Sequence, residues 1–302
     1  MFGNLIIMGS SQESYVIEGG TAGRERLRVL SAAMRPLTES FLDRLNITPG
    51  MRCLDVGCGG GDVTRMLARR CGTSGAVVGI DMDAAVIAIA REESTALESA
   101  NSEDGNDVAS SEAGDDVANT GAGNAIAIIE FSVADATTFH SAQPFDLIYA
   151  RFFLSHTTDA RAAIQHLKTL LRPGGTLAVE DVWFPGHFAF PQSEAFDTYV
   201  RWYREAAQQH GADPGLGIML PALFEELGLQ NIHHEMHSQA FGSGPNKEVS
   251  LITLERIRHA VVQAAISSEE EVARVIEELR AFTMRADTVV SMAPVVQISA
   301  RA

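Results

Sequence analysis

Cysteine is scarce in this 302-residue sequence, with three residues at positions 53, 58 and 71. An odd, sparse set in a chain of this length supplies no disulfide framework and fits reduced surroundings. No stretch approaches the roughly 18 consecutive apolar residues of a spanning helix. The opening Met1-Phe2-Gly3-Asn4-Leu5-Ile6-Ile7-Met8 is too short an apolar patch for a signal-peptide core and lacks a basic start, so a cytoplasmic location and no membrane partner are expected. Basic residues are also few: Lys and Arg total 23 against 39 Asp and Glu, a formal net charge of -16. That balance repels phosphate backbones and argues against a nucleic-acid partner. No Gly-Lys dipeptide occurs, so the phosphate-loop pattern is absent, and no His-Glu-x-x-His pattern occurs either. His233, His234 and His237 do not make a metal site by spacing, because on a strand 234 points away from the face of 233 and 237. No metal is expected.

What is present is a rhythm. Hydrophobic residues make up 46% of the chain, enough for a large core. From about Gly50, short apolar runs alternate with helical stretches. Cys53 to Val56, Ala76 to Ile80, Ile126 to Val133, Phe145 to Ala150 and Thr176 to Val179 read as buried strands. Helices fall at about 62–70, 84–98 and 159–171, the last stopped by Arg172-Pro173-Gly174-Gly175. Such alternation predicts a doubly wound α/β fold with a mostly parallel sheet. Residues 94–123 interrupt it with seven carboxylates, one leucine and two valines, and read as a disordered acidic insertion that cannot offset its ordering entropy. Further on, helices are expected at 194–210, 221–227 and 268–281, with strands at 231–239 and 295–300. Two units result: an N-terminal helical cap over 1–48 and the main domain over 49–302, carrying a C-terminal helical insertion at about 246–290.

The most informative stretch is Leu54-Asp55-Val56-Gly57-Cys58-Gly59-Gly60-Gly61-Asp62, between a strand and a helix. Glycines there let the backbone approach a ligand, and the helix start offers unpaired N–H donors. Asp81, 24 residues after Gly57, ends the second strand, where an acid can accept both hydroxyl protons of a ribose. The plain alternative for Asp81 is a helix cap. The dinucleotide fingerprint wants glycine or alanine at position 62, where an aspartate would repel a pyrophosphate. An adenosine ligand without phosphates fits better.

These residues resemble the first motif of class I S-adenosylmethionine-dependent methyltransferases. Val78-Gly79-Ile80-Asp81-Met82-Asp83 is similar to the family's second-strand motif, Ala134-Asp135-Ala136 to its adenine-contacting turn, and Phe145 to Ala150 to its fourth strand. Leu170 to Leu177 is similar to the entry into the fifth, and Tyr15 to Leu27 looks like the cap of small-molecule members. The resemblance implies a Rossmann-like, seven-stranded sheet with an antiparallel edge hairpin, and S-adenosyl-L-methionine as cofactor. Asp55 with Gly57, Cys58, Gly59 and Gly61 would hold its amino-acid end and Asp81 its ribose. Met82 would pack on the adenine, Asp135 and Ala136 would meet the adenine edge, and Ala150 and Arg151 would line the methionine portion.

A sulfonium methyl needs little beyond positioning, so a small-molecule acceptor could take it at oxygen, nitrogen or carbon without a conspicuous catalytic residue. His156, after strand four, and His187 are the candidate bases. Tyr15, Trp183, Phe184, His187, Phe188, Tyr199 and Tyr203 are the candidate acceptor wall, with ordinary core as the plain alternative. Ala150-Arg151-Phe152-Phe153 departs from the Asn/Asp-Pro-Pro-aromatic motif of nucleic-acid amino methyltransferases. Two other readings stay open: a NAD-dependent oxidoreductase on a similar sheet, and a non-catalytic S-adenosylmethionine-binding protein. A homodimer is kept as a candidate assembly.

Overall fold

The structure, a computed structural model, describes residues 20–103 and 126–302. Strands β1 (Arg52–Val56), β2 (Ala76–Asp81), β3 (Ile128–Val133), β4 (Phe145–Arg151) and β5 (Leu171–Val182) are each followed by helix or turn. The helices between them are α2 (Asp62–Cys71), α3 (Ala84–Glu103) and α4 (Ala160–Leu170), after an N-terminal α1 (Gly20–Arg44). Two short strands, β6 (Ala189–Phe190) and β8 (Ala240–Phe241), flank α5 (Glu194–Gln209), α6 (Leu220–Glu226) and β7 (Gln230–His237). Then come α7 (Val249–Gln263), α8 (Glu269–Met284), β9 (Val289–Ser291) and β10 (Val295–Arg301).

The main sheet has seven strands in the order β3-β2-β1-β4-β5-β10-β7. β1 through β5 pair in parallel, and β10 runs antiparallel to both β5 and β7. This is the expected edge hairpin, with α7 and α8 inserted between its strands. β1 carries a nearly continuous buried run, as a strand covered on both faces must. α2 buries Val63, Met66, Leu67 and Ala68 at helical spacing and stops at Gly72, which has φ +60°. α4, α5 and α8 open on Asp159, Ser193 and Ser268, whose side chains accept the N–H of Ala162, Phe196 and Glu271.

Three features differ from expectation. α3 continues to Glu103, ten residues into the segment read as an insertion from 94. Its Ala, Leu and Glu residues favour helix, and Ser94 is buried where it accepts from Arg65. The rest of that segment, 104–125, lies outside the described residues. β5 starts at Leu171 rather than 176, carrying the Pro-Gly-Gly turn within it and shifting register between Phe145 and Leu147. A second, three-stranded sheet β6-β9-β8 was not anticipated; its strands are two or three residues long, too short to show a period in sequence.

Candidate functional site

The site lies where β1 and β4 end side by side, Val56 pairing with Ala150. Here the chain order of the sheet reverses, and ligands of open α/β sheets sit outside the carboxyl ends of strands at such a point. The loop 57–61 turns here. Gly57, Gly59 and Gly61 have φ of 66°, 53° and 80°, values that side chains rarely adopt. At Gly59 and Gly60 nothing lies within 4 Å of where a Cβ would stand, so the loop's outer surface is open ground. At Gly61 an added Cβ would stand 2.6 Å from the Phe131 ring, so close packing beneath also requires glycine.

Three carboxylates, Asp55, Asp81 and Asp135, stand at or just past the carboxyl ends of β1, β2 and β3. Asp55 is buried at 2% exposure and accepts the Thr64 hydroxyl at 2.6 Å. Burial pushes its pKa up to about 7, against the Thr64 hydrogen bond and the Arg151 charge. Asp81 accepts the Gly59 N–H at 3.1 Å and the Asp83 N–H at 2.9 Å. Burial raises it too, against those two N–H groups. Asp81 is therefore tied to the loop, and the start of α3 is met instead by Asp83, which accepts the Ala85 N–H at 2.8 Å. Asp135 accepts both the N–H and the hydroxyl of Thr137. Met82 is 52% exposed, whereas Ala136, Ala150 and Cys58 are buried. Burial raises the Cys58 thiol far above its usual range, which makes it a packing residue rather than a nucleophile.

Asp62, the residue that spoke against a pyrophosphate, does not face a ligand alone. It accepts the Ser31 hydroxyl at 2.6 Å and an Arg65 N–H at 3.0 Å. Burial opposes its charge, but Ser31 and Arg65 hold it below the usual carboxylate range. This links α1 to α2 beside the glycine loop.

Sequence reasoning missed a polar row on the α1 side of the sheet. Register and two-residue alternation put Asp55, Tyr149, Arg151, Glu180 and Gln297 on one face. Glu180 is fully buried; it accepts the hydroxyls of Tyr149 and of Thr38 (2.7 Å), and the Gln297 amide at 2.6 Å. Arg151 donates to Thr38 at 3.2 Å and to Ser31 at 3.5 Å. So α1 is fastened over the strand ends by hydroxyls. The adjacent Asp181 points the other way and accepts the N–H of Ser155 at 3.0 Å and of Val182 at 2.8 Å. Burial raises its pKa to about 6, against those N–H groups. An unusually polar pair, Glu-Asp, inside an otherwise apolar strand was the available signal.

The expected acceptor wall is mostly core. Phe184, Tyr199 and Tyr203 are 5%, 2% and 5% exposed, and Phe184 stacks on Tyr203 at 3.9 Å. They pack with Phe196, Leu254, Ile257 and Leu279 between α5, α7 and α8. The inserted helices, unread in detail from sequence, are what cover them. His187 sits in the same cluster, T-shaped against Phe184 at 4.3 Å, and burial lowers its pKa to about 4. It belongs to that packing rather than to a reacting centre. Trp183 braces its own turn: its backbone N–H donates to the Pro294 carbonyl, and a Cβ at Gly186 would stand 2.5 Å from its ring. Phe188 is exposed. His156 closes a short turn at 154–156, just after β4. Tyr15 lies outside the described residues. Among the described residues, no group of three or more His, Cys, Asp or Glu could hold a metal ion, and no helix is long and apolar enough to cross a membrane.

A family model described as a methyltransferase domain matches residues 26–234. The 2-phytyl-1,4-naphtoquinone methyltransferase of Thermosynechococcus vestitus is 28% identical over 211 residues, 64% of this chain and 78% of that protein. Phosphoethanolamine N-methyltransferase 1 of Zea mays is 31% identical over 166 residues, 54% of this chain but 26% of that protein, so the match spans about a quarter of the plant sequence. The crystal structure of the YcgJ protein of Bacillus subtilis superposes with a TM-score of 0.52 at 15% identity, covering 87% of this chain and 97% of that one. At that identity the likeness concerns the fold.

Proposed function

Because the chain belongs to the S-adenosylmethionine-dependent methyltransferase family, we propose that it transfers the cofactor's methyl group to a small acceptor with a flat, apolar body, bound beneath α1 over the ends of β4 and β5. The observation that carries this reading is the lining there. Leu30 and Leu37 of α1, Phe152 after β4, Val182 at the end of β5 and Phe241 of β8 are all partly buried around Ala33, Met34, Met292 and Val295. Apolar side chains left partly buried in this way are what a flat hydrophobic ligand covers. A net charge of -16 further disfavours a phosphate-bearing acceptor.

The residues fit the cofactor. Open ground over Gly59 and Gly60 admits its amino-acid end, with Asp55 beneath, and Asp81 would take the ribose. Met82, exposed beside Asp81, would cover one face of the adenine, and Asp135 with Ala136 its edge. Ala150 and Arg151 would border the methionine portion. When bound, the cofactor supplies an electrophilic methyl on a sulfonium cation. The protein's contribution is to hold the acceptor in line and exclude water, which alone yields effective molarities of about 10⁵–10⁸ M. α1, fastened through Thr38 to Glu180 and through Ser31 to Asp62, forms the cover. The NAD-dependent alternative has no support left, since Asp62 stands where the fingerprint needs a small residue and the family is that of the methyltransferases.

The test is formation of S-adenosylhomocysteine with a reduced 1,4-naphthoquinone bearing an alkyl chain and, separately, with phosphoethanolamine. Turnover of the first and not the second is expected. Turnover of phosphoethanolamine alone would overturn the apolar-acceptor reading.

A further inference from the structure

The turn after β4 is held in a conformation that needs explaining. Phe152 has φ +54°, the left-handed region that a bulky residue rarely adopts. Such outliers persist only where the surroundings enforce them, and they gather at ligand sites. Here the enforcement is visible. The Phe152 N–H donates to the Glu180 carbonyl at 2.8 Å, and the Ser155 N–H donates to the Asp181 carboxylate at 3.0 Å. The His156 N–H closes the turn onto the Phe153 carbonyl at 3.1 Å. Two consecutive residues of β5 thus pin both ends of a short segment.

The strained turn delivers the Phe153 ring to the first glycine of the loop. A Cβ at Gly57 would stand 3.3 Å from Phe153 Cδ2, with the ring's Cγ at 3.8 Å. Phe153 is only partly buried, packed on one side against the core cluster of Val56, Ile80 and Ala150. Phe131, the other aromatic ring against the loop, is 6% exposed and lies beneath it. Phe153 is therefore a partly open aromatic surface at the point where the cofactor's amino-acid end meets the loop. In S-adenosylmethionine the sulfonium stands only two methylene groups from the amino-acid α-carbon. Aromatic faces attract onium cations through the ring quadrupole, whereas a neutral thioether gains only a weaker sulfur–ring contact.

We propose that Phe153 distinguishes the methyl donor from its demethylated product, its ring favouring the sulfonium over the thioether. That makes it a binding determinant that weakens retention of S-adenosylhomocysteine relative to S-adenosylmethionine. The inference concerns the cofactor and not the acceptor, so the experiment uses no acceptor and stands apart from the test above. The dissociation constants of S-adenosylmethionine and S-adenosylhomocysteine would be measured by calorimetry on the wild-type chain, on Phe153→Leu and on Phe153→Tyr. Phe153→Leu should weaken S-adenosylmethionine binding by about threefold to thirtyfold, the range of a cation–π contact, and change S-adenosylhomocysteine binding by less than about twofold. Phe153→Tyr should keep the wild-type ratio. Should Phe153→Leu not fold, pentafluorophenylalanine at position 153 keeps the shape while reversing the ring's quadrupole, and the same selective loss is expected. Equal weakening of both ligands, or no change in either, would overturn the proposal.

Discussion

Asp55 makes the cofactor site sensitive to pH in a calculable way. Its carboxyl is buried on the α1 side of β1, and that burial raises its pKa to about 7. Near neutrality the ligand-free protein is then a mixture of protonated and ionised Asp55. A cationic ligand on the loop above favours the ionised form and should draw the pKa down. Between about pH 5.5 and pH 7 the ionised fraction of a group with pKa about 7 rises from roughly 0.03 to 0.5. The affinity for S-adenosylmethionine should accordingly be about sixteenfold lower at the acid end. The ligand's own amino group titrates at about 7.7–8.0, above this window. Calorimetry in two buffers of different ionisation heat should also register proton release on binding. Melting temperature is a poorer assay. Asp55 and Asp181 are both raised, to about 7 and about 6, so each binds its proton more tightly folded than unfolded. Their joint contribution to the stability of the ligand-free protein is fully present below about pH 4 and declines as pH rises towards about 7. The binding experiment separates the two groups, because Asp55→Asn should flatten the affinity profile while leaving Asp181 to titrate. A wild-type affinity constant within about threefold across the window, or an unchanged slope in Asp55→Asn, would refute the reasoning.

Asp81→Ala should raise the S-adenosylmethionine dissociation constant by about tenfold to hundredfold, since hydrogen bonds to a charged group contribute roughly 1.5–3 kcal/mol each and are not additive; titration calorimetry reads this directly, and a change under about threefold would remove Asp81 from the ribose site. Glu180→Ala strands the buried donors of Tyr149, Thr38 and Gln297 and should lower unfolding free energy by about 3–5 kcal/mol, which denaturant titration at constant m-value would show. His156→Ala should reduce kcat by less than about tenfold if positioning dominates, and a loss above about 10²-fold with the fold intact would instead make His156 a general base.

The succession of strands and helices was legible because each parallel strand is a short apolar run and two of the helices carry their own stop, Gly72 and the Pro173-Gly174-Gly175 turn. The glycine loop was legible for a different reason. Gly57, Gly59 and Gly61 take backbone angles that few other residues tolerate, so sequence and geometry carry the same information there. The acceptor side offered no such constraint. Aromatic residues at 184, 199 and 203 satisfy an apolar core and a ligand wall equally well, and only the packing of α7 and α8 over them decides in favour of core. α3 was cut short because its last turns are polar, and polarity alone does not separate an exposed helix from a loop. The row formed by Asp55, Tyr149, Arg151, Glu180 and Gln297 depends on the register of four strands, one of them antiparallel, and a register cannot be read from any one segment. Yet that row is what fixes α1 over the site. Burying a carboxylate such as Glu180 costs several kcal/mol unless its oxygens are satisfied, and the hydroxyl of Thr38 is one of the groups that satisfies them. The cover and the sheet are therefore coupled: lifting α1 would remove a hydrogen bond from a buried carboxyl group, so opening there carries an energetic cost at β5. A device of that kind favours the closed arrangement that water exclusion during methyl transfer requires.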